Sequence, residues 1–343
     1  MGDDRATLAD VARLAGLSKT TASMVLNGRK GTRLSAEAHE RVLAAAEKLG
    51  YRPNPAARSL RTNKTATIAF ISDIVATAPY AGDMIRGALE AAREHDHVLL
   101  IAETQGDEEV ERLTIEAILD RQVDGIIYAA MAAREVVVPR RMLTRTTVLL
   151  NATSTDGLPS VLPDDERAGH AVAMSLLRHG HRDRIALVGR NDSKECEPRM
   201  SIAAAPRLRG IRRALAHQGV RLSGEASCED WQPEHGYEAM RSLLSRPPHP
   251  LAVICMNDRL AFGVYEALAE AGLSVPADVS VVSFDDDAIA SWLRPGLTSA
   301  ALPHIEMGRL AVELLLTGEP EGQTVTVPMP VNHRSSIAAP ATA

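Results

Sequence analysis

The chain has 343 residues, too long for one ordinary domain, and 45% hydrophobic with 24% charged residues describes a soluble globular protein with a sizeable core. A net charge of −6 excludes a uniformly basic nucleic-acid binder, yet residues 1–65 hold twelve Lys/Arg against six Asp/Glu, while the remainder holds 26 against 38. A basic head on an acidic body fits a dedicated polyanion-binding module, since phosphate contacts need only local positive charge.

Three short helices are legible in the first fifty residues. Thr7 is a good N-cap with Asp10 three residues on, and Leu8, Val11, Leu14 and Ala15 form an apolar stripe ended by Gly16. Ser18 can cap a second helix to about Asn27, with Ala22, Val25 and Leu26 inward. Ser35 can cap a third, with Val42, Ala46 and Leu49 at helical spacing and Gly50 as its stop. Two short helices around a Gly-containing turn are a helix-turn-helix signature, and the third helix completes the small core. The linker from Tyr51 to Arg61 follows. Within it Asn54 can cap a one- to two-turn helix with Pro55 at its first position, too short to be stable alone.

From about Thr67 short apolar runs alternate with amphipathic stretches. The runs are Ile68–Ile71, Val98–Ala102, Gly125–Tyr128, Val148–Leu150, Ile185–Val188, Ala252–Cys255 and Val279–Phe284. Helical stretches fall near 82–95, 108–121, 165–179, 206–219, 234–245, 258–272 and 303–317. Buried strands alternating with helices imply parallel, doubly wound sheets, and this much repetition suggests two lobes.

Ala6–Arg61 resembles the lactose-repressor/galactose-repressor (LacI/GalR) family. The head reads Thr-Leu-Ala-Asp-Val-Ala-Arg-Leu-Ala-Gly-Leu-Ser at 7–18, then Val25-Leu26-Asn27-Gly28, Leu49-Gly50-Tyr51, Pro53-Asn54 and Ala57-Arg58-Ser59-Leu60. Further on, Val123-Asp124-Gly125-Ile126-Ile127, His179-Gly180-His181, Asn257-Asp258 and the segment Val275–Asp286 follow in the family order. The resemblance implies an all-α helix-turn-helix head (1–52), a hinge helix or linker (53–65), and an α/β periplasmic-binding-protein-like core (66–343). In that core, lobe one takes about 66–160 and 297–317, and lobe two about 161–291 and 320–335. It also implies a homodimer whose paired heads read a pseudo-palindromic double-stranded DNA operator.

On the second helix Lys19, Thr20 and Met24 fall at the family's base-facing positions, while Thr7, Ser18, Thr21, Ser23 and Asn27 suit phosphate contacts. Lys19 is the one side chain there that could donate to guanine O6 or N7. Met24 and His39 stand where Arg is usual in the family, which leaves the operator sequence unassigned without bearing on DNA binding itself. In the linker Asn54 and Ala57 join the DNA-contacting set, and the family places a leucine at Leu60 as a minor-groove wedge; the alternative for Leu60 is packing between hinge helices.

Ligands in two-lobed α/β folds sit where strand C-terminal ends of both lobes face each other. Family positions nominate Pro79, Tyr80, Asn151, Arg207, Trp231, Asn257 and Asp285 for a small-molecule effector. Arg207 offers a fork for vicinal hydroxyls or a carboxylate, Asp285, Asn257 and Asn151 can exchange hydrogen bonds with hydroxyls, and Trp231 gives a flat face for a sugar ring. The set favours a sugar over a nucleobase or small acid. Each residue has a plainer alternative: Arg207 as a salt-bridge partner, Trp231 as core, Asn257 or Asp285 as caps. Leu302 stands where many relatives place a polar residue.

His95/His97 and His179/His181 have metal-like spacing, but each pair reads as a surface turn. Cys196, Cys228 and Cys255 form no CxxC pair, which speaks for a reducing compartment and against zinc. The acidic N-terminus lacks a secretory pattern, so a cytoplasmic location is expected. No phosphate loop, nucleophile elbow or His-Glu-x-x-His occurs, so neither a cofactor nor catalysis is expected. The rivals are a transporter's solute-binding protein and a sugar-processing enzyme carrying a DNA-binding head.

Overall fold

Local capping explains the first helices. In α1 (Leu8–Ala15) the Thr7 side chain accepts from Asp10 N while Asp10 accepts from Thr7 N, and Gly16 at φ +65° closes the helix by donating back to Ala12 and Arg13. The computed structural model describes residues 6–26, 34–52, 64–76, 78, 80–318 and 322–340 and divides into two units, Met1–Thr65 and Ala66–Ala343. In the first unit Ser18 Oγ accepts from Thr21 N at 3.0 Å to open α2 (Lys19–Leu26), and Ser35 caps α3 (Ala36–Lys48). Val11, Ala12, Ala15, Ala22, Val25, Val42, Ala45 and Ala46 form its core. Leu14, expected on the inner stripe, is instead 47% exposed. The stripe runs through 8, 11, 12 and 15, so Ala12 takes the inward place.

The second unit holds two six-stranded sheets. In spatial order the first is β11 (Thr324–Val327), β5 (Ser160–Pro163), β4 (Thr147–Thr153), β3 (Gly125–Glu135), β1 (Thr67–Ser72) and β2 (Val98–Glu103). The second is β12 (Val331–Asn332), β10 (Thr298–Ala301), β9 (Ser280–Asp285), β8 (Ala252–Cys255), β6 (Ile185–Arg190) and β7 (Leu222–Ser227). All pairings are parallel except β10 with β12. In β1 the alternation is visible: Ile68 and Phe70 join the core under α4 (Ala81–Glu94) and α12 (His304–Thr317), whereas Ala69 and Ile71 join that under α5 (Glu108–Asp120). The second sheet is covered by α6 (Asp165–Arg178), α8 (Ala204–His217), α9 (Pro233–Leu244) and α10 (Asp258–Glu270), with α7 (Asp192–Cys196) and α11 (Ala288–Trp292) as short connectors.

Strand pairing corrects the expected lobe boundaries. Ser160–Pro163 and Thr324–Val327 pair within the first sheet, and Thr298–Ala301 lies in the second. The chain therefore crosses between sheets three times, after Pro163, after Ala301 and after Val327. These strands have four residues each and mix Ser, Thr and Ala with few large apolar residues, so no hydrophobic run marks them. His181 is likewise no surface-turn residue: it is 1% exposed, with Nε2 at 3.1 Å from Ser280 Oγ and 3.0 Å from the Ala338 carbonyl.

Candidate functional site

Six sequence-nominated cleft residues converge. Tyr80, Asn151, Arg207, Trp231, Asn257 and Asp285 line one cavity of about 250 Å³ between the two sheets; Pro79 lies outside the described residues. Tyr80 precedes α4, Asn151 stands two residues before the end of β4 at φ +55°, and Asp285 ends β9 at φ +97°. These ends of parallel strands are where open α/β folds place their crevices.

Arg207 is the best-anchored member. It stands in the first turn of α8, which Gly169 and Gly210 let approach α6 closely: a Cβ on Gly169 would meet the Arg207 carbonyl oxygen at 2.1 Å. Its Nε donates to Asp165 Oδ1 at 2.7 Å, its Nη1 to the Met256 carbonyl at 2.8 Å, and its guanidinium lies 4.8 Å from the Phe284 ring. Nη2 stands 3.0 Å from Asp285 Oδ1 but off the line of a hydrogen bond, leaving that buried oxygen without an aligned donor. Arg207 and Asp285 both line the cavity, so a guanidinium donor and a carboxylate acceptor stand side by side, the pairing that can read adjacent hydroxyls.

Asp285 lines the cavity, and two further buried carboxylates, Asp165 and Asp258, stand behind its wall. Burial pushes Asp165 up to about 6 against the opposing pull of Arg207, and raises Asp285 as well. Asp258 is pushed up to about 8, first by burial and then by Asp285, although it accepts from Ser299 Oγ at 2.7 Å and Asp287 N at 2.8 Å. Burial alone would lower the Arg207 guanidinium, but Asp285 and Asp165 together hold it above its usual range, firmly charged.

The remaining nominees are partly committed elsewhere. Asn257 is the cap of α10: Oδ1 accepts from Leu260 N at 2.9 Å and Nδ2 donates to the Trp231 carbonyl at 3.2 Å. These bonds fit the plainer reading of Asn257 as a cap, and they leave one Nδ2–H and one Oδ1 lone pair on a residue that lines the cavity. Asn151 Nδ2 donates to the Ala130 carbonyl at 2.9 Å, leaving Oδ1 for a ligand. Trp231 is half-buried, donates Nε1 to the Gly189 carbonyl at 2.9 Å, and lies under Lys194 Nζ at 5.6 Å.

Sequence reading missed other members. His304 packs against Tyr80 with ring centroids 5.1 Å apart, and burial holds its imidazole down to about 4, hence neutral. Tyr80 in turn donates from its hydroxyl to Asp287 Oδ2 at 3.1 Å, a bond from the first lobe to the second, and burial with Asp285 and Asp287 raises its phenol. Lys194 pairs with Asp230 at 3.3 Å on the rim. Leu302, marked in the sequence as apolar where many relatives place a polar residue, also lines the cavity. Lys194 sits on a five-residue helix too short for a periodic signal.

In the first unit α2 buries Ala22 and Val25, while Ser18, Lys19 and Thr20 are exposed and Thr21, Ser23 and Met24 half-exposed. The Thr7 hydroxyl donates to Asp10 Oδ2 at 2.6 Å. Asn27, Asn54, Ala57 and Leu60 lie outside the described residues. Among the described residues no helix is long and apolar enough to cross a membrane, and no group of three or more His, Cys, Asp or Glu is placed to hold a metal.

Residues 7–54 match the family model described as bacterial regulatory proteins, lacI family, and residues 173–337 match that of a periplasmic binding protein-like domain. The chain is 34% identical over 316 residues to the ribose operon repressor of Escherichia coli (strain K12), covering 91% of this chain and 92% of that one. Among solved structures, a lacI-family transcriptional regulator from Rhizobium etli is similar at 30% identity and a TM-score of 0.70, covering 80% of this chain and 99% of the other. A lacI-family regulator from Enterococcus faecium with bound ribose is similar at 27% identity and a TM-score of 0.62, covering 80% and 99%.

Proposed function

Because the chain belongs to the lacI family of bacterial regulatory proteins, we propose that its head reads an operator and that a sugar bound between its lobes controls that grip. The observation carrying the ligand half is the Arg207–Asp285 pair in the cleft wall: a fixed fork beside a buried acceptor lacking an aligned donor. Two vicinal hydroxyls satisfy both, with Asn151 Oδ1 as a third contact and Trp231 as a flat wall. The cavity volume suits a monosaccharide. The repressor relative named for a ribose operon and the regulator holding ribose support the same ligand class.

On DNA, the exposed row of α2 supplies the reading surface: Lys19, Thr20 and Met24 toward bases, Ser18, Thr21 and Ser23 toward phosphates. Thr7 and Asn27 join the phosphate contacts, and Asn54, Ala57 and Leu60 act from the hinge. Met24 can touch a thymine methyl but cannot fork onto guanine, so Lys19 carries the guanine contact. Two copies act together. Val98 on the edge strand β2 is 67% exposed and Trp292 is 72% exposed, apolar surface that a second copy would cover. The ligand prefers one angle between the lobes and so shifts the population of DNA-competent dimers, in the reducing cytoplasm.

The test is fluorescence anisotropy of the full chain on its own promoter fragments against random DNA at fixed moderate salt, with and without a panel of pentoses and hexoses. One promoter should bind at least tenfold tighter than random DNA, and one sugar should change that ratio while emerging chemically unaltered. No preference for any fragment would sink the regulatory reading; turnover of the sugar would favour an enzyme.

A further inference from the structure

A second concave site lies away from the cleft, where α6 faces the last crossover. Its volume is about 390 Å³. One wall is a single face of α6, carrying Arg167, His170, Met174 and Arg178 at helical spacing; the other is Pro328–Val331 with His333. No carboxylate lines it. Every nearby acid is engaged elsewhere: Asp164 caps the helix by accepting from Arg167 N, Asp165 holds Arg207, Glu166 takes Arg213 at 2.7 Å and Arg209 at 3.3 Å, and Asp286 takes Arg334. Arg167 and Arg178 make no ion pair among the described residues. Arg213 of α8 stands behind them: burial first, then Arg213, His217 and Arg178, lower the His170 imidazole. On a chain of net charge −6, an acid-free hollow of this kind is a local positive well.

The well has two ends. Eleven helical steps carry the chain from Arg167 to Arg178, roughly 16 Å along the axis, so their forks meet different groups. Between them lie the thioether of Met174 and the side chain of Val331, an apolar floor. We propose that this groove binds a small organic molecule with an anionic group at each end, phosphate esters before carboxylates, and that it is a second regulatory site. Phosphate suits the planar guanidinium fork best.

Its position gives it leverage. Pro328–Pro330 joins β11 of the first sheet to β12 of the second, so one wall is itself a hinge. The other wall, α6, begins with Asp165, which holds Arg207 in the cleft. A ligand touching both walls resists change in the angle between lobes and couples to whatever the cleft senses.

The test is titration calorimetry of the full chain at constant ionic strength with butanediol bisphosphate, inorganic phosphate and butanediol. The bisphosphate should bind once per chain, at least tenfold tighter than phosphate, with butanediol silent. The Arg167→Gln/Arg178→Gln pair, both exposed and so tolerated by the fold, should weaken it tenfold or more; His333→Ala, on the opposite wall, should weaken it about threefold. Arg207→Lys in the cleft should leave it unchanged. No binding, phosphate equal to the bisphosphate, equal affinity in the double variant, or loss with Arg207→Lys instead would each overturn the proposal. Failure of the sugar panel in the promoter assay would leave this result standing, since the two sites share no ligating residue.

Discussion

Asp165 Oδ1 accepts the Nε–H of Arg207 at 2.7 Å across 42 residues of sequence, with side chains 6% and 4% exposed. This pair ties the first turn of α6 to the first turn of α8 and sets the direction in which the guanidinium enters the cleft. Removing one partner of a buried pair leaves an uncompensated charge, typically at about 3–5 kcal/mol. Arg207→Ala therefore confounds sensing with folding, because Asp165 and Asp285 both lose their cation. Arg207→Lys is the cleaner probe: it keeps the charge and loses the fork. The expected outcome is a chain that still melts cooperatively, with sugar affinity down about tenfold, roughly 1.4 kcal/mol. Asp165→Asn should lower the urea midpoint and also weaken the sugar, although Asp165 does not line the cavity. Sugar affinity equal to the parent in both variants would remove Arg207 from the site.

The closeness of α6 and α8 depends on two glycines. A Cβ on Gly210 would lie 2.0 Å from the Glu166 carbonyl oxygen, and one on Gly169 would lie 2.1 Å from that of Arg207. Both obstacles are backbone, which cannot swing aside as a side chain can. Gly169→Ala and Gly210→Ala should each destabilise the second unit by at least about 1–3 kcal/mol. Differential scanning calorimetry should place both melts below the parent, with the Gly169 variant also losing sugar affinity because Arg207 moves with its helix. Gly219→Ala is a contrasting control: nothing lies within 4 Å of its Cβ, but its φ of +67° still imposes a strain cost.

The depth of sequence legibility follows from where the signals lie. Thr7, Ser18 and Ser35 announce their helices because a cap is a local contract between residues three apart. Ile68–Ile71 announces a central strand because both faces of it are buried. Thr298–Ala301 announces nothing, since a four-residue strand of small and hydroxyl side chains looks like a loop. The same holds for the site. Arg207, Asp285 and Asn151 came from family positions, whereas His304 escaped notice because its partner, Tyr80, is distant in sequence and meets it only in the fold. Asn257 shows the converse: a matching position in the cavity lining whose side chain also caps α10 and holds Trp231, a second duty that shows only in the fold.

Proton linkage follows from Asp258. Its carboxyl is 1% exposed and pushed up to about 8, with burial the leading cause. A folded-state value above the unfolded one means the folded chain holds the extra proton between the two, so stability falls as pH rises through that interval. Asp165, at about 6, adds to the same slope. The melting temperature of the second unit should therefore decline from about pH 5 to about pH 8. Asp258→Asn, which cannot ionise, should flatten that decline while costing some stability at low pH through poorer acceptance from Ser299 and the Asp287 amide. A slope identical in the variant and the parent would show that Asp258 does not titrate there.

The hydrogen bond from Tyr80 to Asp287 is a clasp between lobes, and it can be separated from the packing around it. Tyr80→Phe keeps the ring against His304 and deletes only the hydroxyl at 3.1 Å from Asp287 Oδ2. A single neutral-to-charged bond of this kind contributes about 1.5–3 kcal/mol at most, less at a half-exposed acceptor. Because the bond exists only when the lobes stand at this angle, its loss should act on the population of that angle rather than on the cores of either lobe. The sugar concentration giving half-maximal change in promoter binding should shift at least threefold, while the urea midpoint moves little. Small-angle scattering without sugar should report a larger mean separation of the lobes in the variant. If the half-maximal concentration and the scattering profile both match the parent, the clasp has no part in setting the lobe angle, and the bond is merely a consequence of closure.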